Sequence, residues 1–307
     1  MKIVIAGTGG IGGYYGALLA QGGHDVFFIA RDKHLAIINE AGLTIKSHGK
    51  QICLKVNAGP DSSRFGIADL IIICFKSYDT ASTFNLYRQS INEKTVILSL
   101  QNGIENETIL CQELGVTHVV GGISFIGSLV EAPGVILHTA YGNITIGELD
   151  GEVTNRITAI GKMFNTCTIN CKVSNNIKHD IWGKMVWNVG FNAICTILDC
   201  SAKEVLQFRD TKLLVESAMR EWIEVARACG VSLAKSLTRK NIVVTQKGGE
   251  VVPSMLHDRR RGKKMEIEFL NAKVVSLGHT VGLDTPVNTA LTSIIRFYNR
   301  ALYKDSP

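Results

Sequence analysis

Lys184, Asn188 and Asn192 recur at every fourth position inside an otherwise apolar stretch, Trp182-Gly183-Lys184-Met185-Val186-Trp187-Asn188-Val189-Gly190-Phe191-Asn192-Ala193-Ile194-Cys195. On a helix that spacing lays the three polar side chains along one stripe. An ammonium group can give a proton and stabilise a developing oxyanion, and carboxamides beside it can hold oxygen atoms in place. Three polar groups in an apolar helix are costly to bury unless a wet or ligand-filled cleft receives them. The alternative, a solvent stripe on a surface helix, calls for a wider polar face than this one. A second group consists of Ser254, which follows Pro253, then Asp258, then Glu266 twelve residues after the serine. Taken alone, Ser254 reads as a helix N-cap, and Asp258 and Glu266 read as carboxylates that share a helical face or lie at the surface.

A different chemistry is written near the start. Gly7-Thr8-Gly9-Gly10-Ile11-Gly12 has the spacing G-x-G-x-x-G, follows the β-branched run Lys2-Ile3-Val4-Ile5-Ala6 and precedes a small-residue helix over 14–21. The first glycine permits a tight turn, the second lets the backbone approach a pyrophosphate, and the third allows close helix packing. The helix that follows presents free N–H groups and the positive end of its dipole. A dinucleotide is therefore the expected ligand. The second strand ends at Ala30-Arg31-Asp32. A guanidinium there suits a 2′-phosphate, whereas Asp32 would suit a 2′-hydroxyl, and the order of the two favours NADP over NAD. Lys76, just past the third strand, offers a further positive charge beside the adenosine phosphates or is an ordinary loop lysine. Asn102-Gly103 follows another strand and either presents an amide to the nicotinamide ribose or a substrate, or is a simple turn.

These groups must be carried by a chain of 307 residues, twice the usual domain length, with 46% hydrophobic and 20% charged residues and five prolines. Such a chain folds compactly and as two domains. Short β-branched runs at 2–6, 25–30, 70–75, 95–99 and 119–122 alternate with helix-like segments, and more irregular strands follow at 136–146 and 166–173. Long helical stretches then take over at 178–198, 212–228 and 258–277. The fold class is α/β: a Rossmann-type, doubly wound parallel sheet over residues 1–175, binding NADP, then a mainly α-helical substrate-binding and catalytic domain over 176–307. The turn-forming Ser174-Asn175-Asn176 marks the join, and the active site is expected in the cleft where doubly wound sheets bind ligands.

Bulk properties narrow the partners. A net charge of +6 suits a small anion better than a nucleic-acid backbone, and the basic run Arg259-Arg260-Arg261-Gly262-Lys263-Lys264 has no interleaved aromatics. Its preferred reading is a solvated helix face beside an anionic ligand. Eight cysteines are scattered, mostly through apolar runs, and read as buried thiols of a reducing compartment, with no metal site expected at Cys167-x-x-x-Cys171. The uncharged stretch 3–24 is broken by eight glycines, so neither a signal peptide nor a membrane span is expected, and the location is cytoplasmic.

Taken together, the chain resembles the ketopantoate reductase (2-dehydropantoate 2-reductase) family over essentially its whole length. The resemblance is carried by Gly7-x-Gly9-x-x-Gly12, Lys76, Gln101-Asn102-Gly103, Lys184-x-x-x-Asn188-x-x-x-Asn192, Ser254-Met255-x-x-Asp258, Arg261-Gly262, Glu266-Ile267-Glu268 and Thr285-Pro286-x-Asn288. It implies NADPH-dependent reduction of a small 2-keto acid to a 2-hydroxy acid, in the pantothenate pathway for the type enzyme. Lys184 is then the general acid, with Glu266 within reach of it and of the cofactor. Asn188 and Asn192 bond substrate oxygens, Ser254 holds the carboxylate, and Asn102 touches both cofactor and substrate. The cofactor contacts implied are Gly7, Thr8, Gly9, Gly10, Ile11, Gly12, Arg31, Lys76, Asn102 and Glu266. Two departures stand out: Asp199-Cys200-Ser201-Ala202-Lys203 lacks an asparagine found after the lysine helix in the type enzyme, and Ala272 stands where family members often have glycine. They leave a related reductase acting on another keto acid as the alternative, with an NADP-sensing regulator behind it. A homodimer is left open.

Overall fold

The computed structural model describes residues 1–248 and 250–301. They divide into two compact units, Met1–Lys178 and a second that begins at His179, the division falling inside one long helix.

The first unit runs β1 (Lys2–Ala6), α1 (Gly10–Gln21), β2 (Asp25–Ile29), α2 (Asp32–Ala41), β3 (Leu43–Ser47), β4 (Lys50–Leu54), β5 (Asn57–Gly59), β6 (Leu70–Ile73), β7 (Val96–Ser99), α3 (Asn106–Leu114), β8 (Val119–Ala132), β9 (Val135–Glu148), α4 (Asn155–Thr166) and β10 (Cys171–Val173). All ten strands form one sheet in the order β4-β3-β9-β8-β7-β6-β1-β2-β5, with β10 also paired to β9. From β8 through β7, β6, β1 and β2 to β5 every pairing is parallel. The chain passes from β1 to β2, leaves for the β3–β4 hairpin at the far edge beyond β9, returns to β5 beside β2, and then crosses to β6 on the other side of β1. That reversal makes β1 and β6 the switch point, where doubly wound sheets open a crevice at the carboxyl ends of their strands. The Rossmann-type reading of the sequence is thus correct.

Both faces of the parallel part are covered, which is why its strands read as unbroken apolar runs. Ile3 and Ile5 of β1 pack on one face with Tyr15, Leu19 and Phe28, while Val4 and Ala6 pack on the other with Phe27, Ile71 and Tyr87. Two expectations for this unit change. Strand β8 extends ten residues past 122, turns at Gly134 with φ of 75° and returns antiparallel as β9. The strand expected at 166–173 is cut to β10, because α4, capped by the Thr154 hydroxyl, runs through Thr166 and a turn with Thr168 at φ of 62° follows it.

The second unit is helical. It contains most of α5 (Ile177–Leu198), then α6 (Ala202–Val205), α7 (Arg209–Ala228), α8 (Ser236–Lys247), α9 (Ser254–Arg260), α10 (Asn271–Thr280) and α11 (Pro286–Ala301). Helix α7 buries Trp222 completely, stacked on Trp182 of α5 at 4.9 Å with its indole N–H donated to the Trp182 carbonyl. Gly190 of α5 faces Met219 of α7 so closely that a Cβ would lie 2.4 Å from the methionine methyl. The continuous helix expected over 258–277 does not form. Gly262 turns the chain with φ of 61°, a short 3-10 turn spans Ile267–Phe269, and α10 begins only at Asn271. Asp258 and Glu266 therefore do not share a helix. The thiols are also less uniformly buried than expected, with Cys167, Cys171 and Cys195 inside and Cys53 exposed. Among the described residues, no helix is long and apolar enough to cross a membrane.

Candidate active site

The turn after β1 is shaped by its glycines, each for its own reason. Gly7 has φ of 108°, a region L-residues rarely adopt, and a Cβ there would press on Phe75. Gly12 lies against the strand it follows, where a Cβ would stand 2.2 Å from the Gly7 carbonyl oxygen and 2.8 Å from Ile5. Gly10 faces the β8 backbone, where a Cβ would stand 2.4 Å from the Ser128 carbonyl oxygen, and its own carbonyl accepts the Ser128 hydroxyl at 2.7 Å. Gly9 is different: a Cβ there meets nothing within 4 Å. It is the N-cap of α1, and no side chain satisfies the N–H groups of the first turn. Open space in front of uncapped N–H donors fits a pyrophosphate. Thr8 does not face that space, since it is buried and both its amide and its hydroxyl donate to the Ile29 carbonyl, at 3.0 and 2.8 Å. It ties the glycine turn to the end of β2. Ile11 is half-buried in the first turn of α1.

Two residues past that tie stands Arg31, the N-cap of α2, with its side chain 88% exposed and 3.8 Å from an equally exposed Asp32. Asp32 has φ of 51°, a conformation acidic and amide residues tolerate better than most. The guanidinium is not engaged in packing and is well suited to an outside anion.

At the ends of β6 and β7, a buried polar network joins two turns. The Ser77 hydroxyl and the Asn106 Nδ2 both donate to the Asn102 carbonyl, at 2.6 and 2.8 Å. Thr80 Oγ1 donates to Asn106 Oδ1 at 2.9 Å and accepts from Gln101 Nε2 at 2.8 Å, and Gln101 also donates to the Phe75 carbonyl at 3.1 Å. Lys76 and Asn102, both half-buried, are thereby fixed at neighbouring strand ends. Nothing in the sequence points to Ser77, Thr80 or Asn106, because only the fold brings them to Gln101 and Asn102. Cys74, at the end of β6, is inert here: burial pushes its thiol well above the usual range.

In the second unit the stripe on α5 exists, and it is not a solvent face. Asn188 and Asn192 are 6% and 1% exposed, and Lys184 is half-buried. Asn192 Nδ2 donates to the Asn188 carbonyl and side-chain oxygens at 3.2 and 3.3 Å. Its Oδ1 accepts the Met255 amide at 3.3 Å and lies 3.5 Å from the Ser254 hydroxyl. Ser254 and the stripe, sixty-two residues apart, are thus brought together. Pro253, not Ser254, is the N-cap of α9; Ser254 opens the helix exposed, and the side chain that serves this helix start is Asn192. Glu266 is 5% exposed at the head of the 3-10 turn.

The remaining motif residues brace α5. Asn271 Nδ2 donates to the Val189 carbonyl at 3.0 Å and to Asn288 Oδ1 at 2.9 Å, and Asn288 donates to Glu221 at 2.6 Å. Glu221 also receives the Val287 and Asn288 amides at the start of α11. The basic run is partly structural. Arg259 donates to the Thr196 carbonyl and lies over Tyr298, and Arg260 pairs with Asp199 at 2.8 Å.

Comparison with known proteins accords with this geometry. Residues 3–151 match the family described as ketopantoate reductase PanE/ApbA, and residues 176–299 match its C-terminal counterpart. A 2-dehydropantoate 2-reductase of Pyrococcus abyssi is 35% identical over 302 residues, spanning 96% of this chain and 97% of that one. The crystal structure of a 2-dehydropantoate 2-reductase from Geobacter metallireducens superposes with a TM-score of 0.91 at 31% identity, covering 97% of this chain and 99% of that one. A D-mandelate dehydrogenase solved with NADH and anilino(oxo)acetate has a TM-score of 0.93 at 25% identity, covering 98% and 99%. With both halves matched in order and the glycine turn and lysine stripe in place, the chain belongs to the ketopantoate reductase family, whose members are NAD(P)-dependent oxidoreductases acting on CH–OH groups.

Proposed function

We propose that this protein reduces 2-dehydropantoate (ketopantoate) to pantoate with NADPH, the step that feeds pantothenate and coenzyme A biosynthesis. The observation that carries the reading is the Asn188–Asn192–Ser254 cluster beside Lys184: buried carboxamides already aligned on one helix, with a hydroxyl from a distant segment joined to them. Relatives of that name across nearly the whole chain support the substrate.

The uncapped start of α1 and the open face of Gly9 would hold the pyrophosphate, with Gly7, Gly10, Ile11 and Gly12 shaping the turn and Thr8 anchoring it. The exposed Arg31 would grip a 2′-phosphate, which supports NADP over NAD. Lys76 and Asn102, braced by their shared network, would contact the cofactor, and Asn102 the substrate as well. When bound, the reduced nicotinamide supplies the hydride that becomes the new C–H bond. Lys184 as an ammonium stabilises the negative charge growing on the keto oxygen and then donates its proton there, giving the hydroxyl. Glu266 would stand within reach of that lysine and of the cofactor, its carboxylate orienting the ammonium toward the keto oxygen. Ser254 binds the substrate carboxylate and Asn188 a second oxygen. Asn192, whose carboxamide is engaged at both ends, joins the substrate contacts by keeping these two in register.

A second reading keeps the chemistry and changes the keto acid. It is favoured by the stretch Asp199-Cys200-Ser201-Ala202-Lys203, which lacks the asparagine that follows the lysine helix in the type enzyme, and by the likeness to D-mandelate dehydrogenase. A bulkier or aromatic 2-keto acid is then the substrate to compare. The test is NADPH consumption by the purified protein with ketopantoate, 2-ketoisovalerate, pyruvate and phenylglyoxylate, repeated with NADH. Preference for ketopantoate with NADPH supports the first reading. Preference for phenylglyoxylate selects the second, and no turnover with any keto acid contradicts both.

A further inference from the structure

Glu266 sits in a segment with little regular structure of its own. Helix α9 stops at Arg260, Gly262 reverses the chain, and Glu266 itself (φ −80°, ψ 35°) precedes only a single 3-10 turn. A buried carboxylate that must stand at a fixed point needs its backbone held from outside the segment. Helix α11 does this twice. The Asn299 carboxamide lies along the peptide groups of Met265, its Oδ1 accepting the Met265 amide at 3.0 Å and its Nδ2 donating to the Met265 carbonyl at 3.1 Å. One helical turn earlier, Arg296 grips the Glu268 carboxylate with two bonds of 2.7 and 2.6 Å. Glu268 responds as a paired acid, its carboxyl held below the usual value chiefly by that bond.

The two grips differ in kind. Arg296 and Glu268 are about half exposed, so solvent competes with their pairing. Asn299 and Met265 are buried, and water cannot replace either bond there. Among side chains of this size, only asparagine offers a donor and an acceptor side by side, which is what the N–H and C=O of one residue require.

We propose that Asn299 is a positioning residue for the reaction, acting through Glu266: by clamping both backbone groups of Met265 it sets where the next side chain stands. The inference rests on the role given to Glu266 above. Its test is a double-mutant cycle of Asn299→Leu and Glu266→Gln, reading kcat, the KM values for NADPH and keto acid, and the pH profile of kcat. Asn299→Leu keeps the branched shape and removes both bonds. It should lower kcat by on the order of 10- to 100-fold, as expected for a misplaced group, and shift the pH profile in the same direction as Glu266→Gln. In the Glu266→Gln background it should change kcat by less than about twofold. A general loss of stability would instead lower kcat equally in both backgrounds and leave the pH profile alone, and that result overturns the proposal. So does an unchanged kcat in Asn299→Leu while Glu266→Gln is impaired. An inert Glu266→Gln overturns the role of Glu266, and the clamp's function falls with it. Should the leucine variant fail to fold, Asn299→Ser enters the same cycle with the same expectations.

Discussion

In the first unit the candidate groups for the cofactor's phosphates are chiefly main-chain atoms and an exposed side chain at strand ends: the N–H groups ahead of α1, the open Gly9 and an arginine 88% exposed. In the second they are side chains, two of them packed nearly out of sight: Asn188 and Asn192 are bonded to each other, and Asn192 also to the start of α9. A pyrophosphate is recognised by geometry that the backbone supplies anywhere a strand turns into a helix, so the fold itself is the receptor. A small keto acid offers a carboxylate and a carbonyl within a few ångströms. Recognising it takes several side chains held in register, each of which must be satisfied while it waits. The first kind of site tolerates change wherever glycine is not forced; the second ties substrate binding to local packing.

The sharpest way to break this contrast is a pair of alanine substitutions in the glycine turn. Gly12→Ala would push a Cβ to 2.2 Å from the Gly7 oxygen, so α1 must move off β1. A loss of about 1–3 kcal/mol of stability is expected, with NADPH affinity lost alongside. Gly9→Ala meets no neighbour and has a φ of −81° that suits alanine, so its melting temperature should hold. Its NADPH affinity should still fall on the order of tenfold, about 1.4 kcal/mol, because the added carbon fills the space for the pyrophosphate. Thermal melts beside fluorescence titrations separate the two effects, and a Gly9→Ala variant that loses stability and affinity together would erase the distinction.

Arg31→Ala sharpens the comparison from the exposed side. With little but its 3.8 Å contact to Asp32 to lose, the fold should be untouched. NADPH should weaken by roughly 10- to 100-fold, the range for a hydrogen-bonded charge, and NADH hardly at all. Equal weakening in paired titrations would remove Arg31 as the 2′-phosphate reader. A smaller effect is expected from Ser254→Ala, since Asn192 keeps its bond to the Met255 amide when the hydroxyl goes. KM for the keto acid should rise by about two- to tenfold with kcat nearly unchanged, as for loss of one hydrogen bond. A fall in kcat alone would deny it the carboxylate.

The same contrast explains which features are legible in the amino-acid sequence. The glycine turn is legible because its requirement is local: a positive φ at Gly7 and close packing at Gly12 admit no other residue, and strand and helix flank them along the chain. The α5 stripe is legible because period four survives in the sequence whatever packs around it. A helix over 258–277 is the wrong reading because in the charged run 258–264 only Gly262 hints at a stop; the chain turns there, and Asn299 and Arg296 of α11 take over the segment. Asn106, Thr80, Asn271, Asn288 and Asn299 carry no signal alone. Their partners lie as far as eighty-two residues away, and the reason for each is its partner.

Cofactor binding and proton donation are here assigned to different residues, the first at the glycine turn and the second at Lys184. The most direct test of that division is Lys184→Ala, with NADPH affinity and keto-acid turnover measured on one preparation. Turnover should fall by about 10²- to 10⁴-fold while NADPH affinity stays within about twofold of the parent. Undiminished turnover, or a loss explained entirely by weaker NADPH binding, would contradict it.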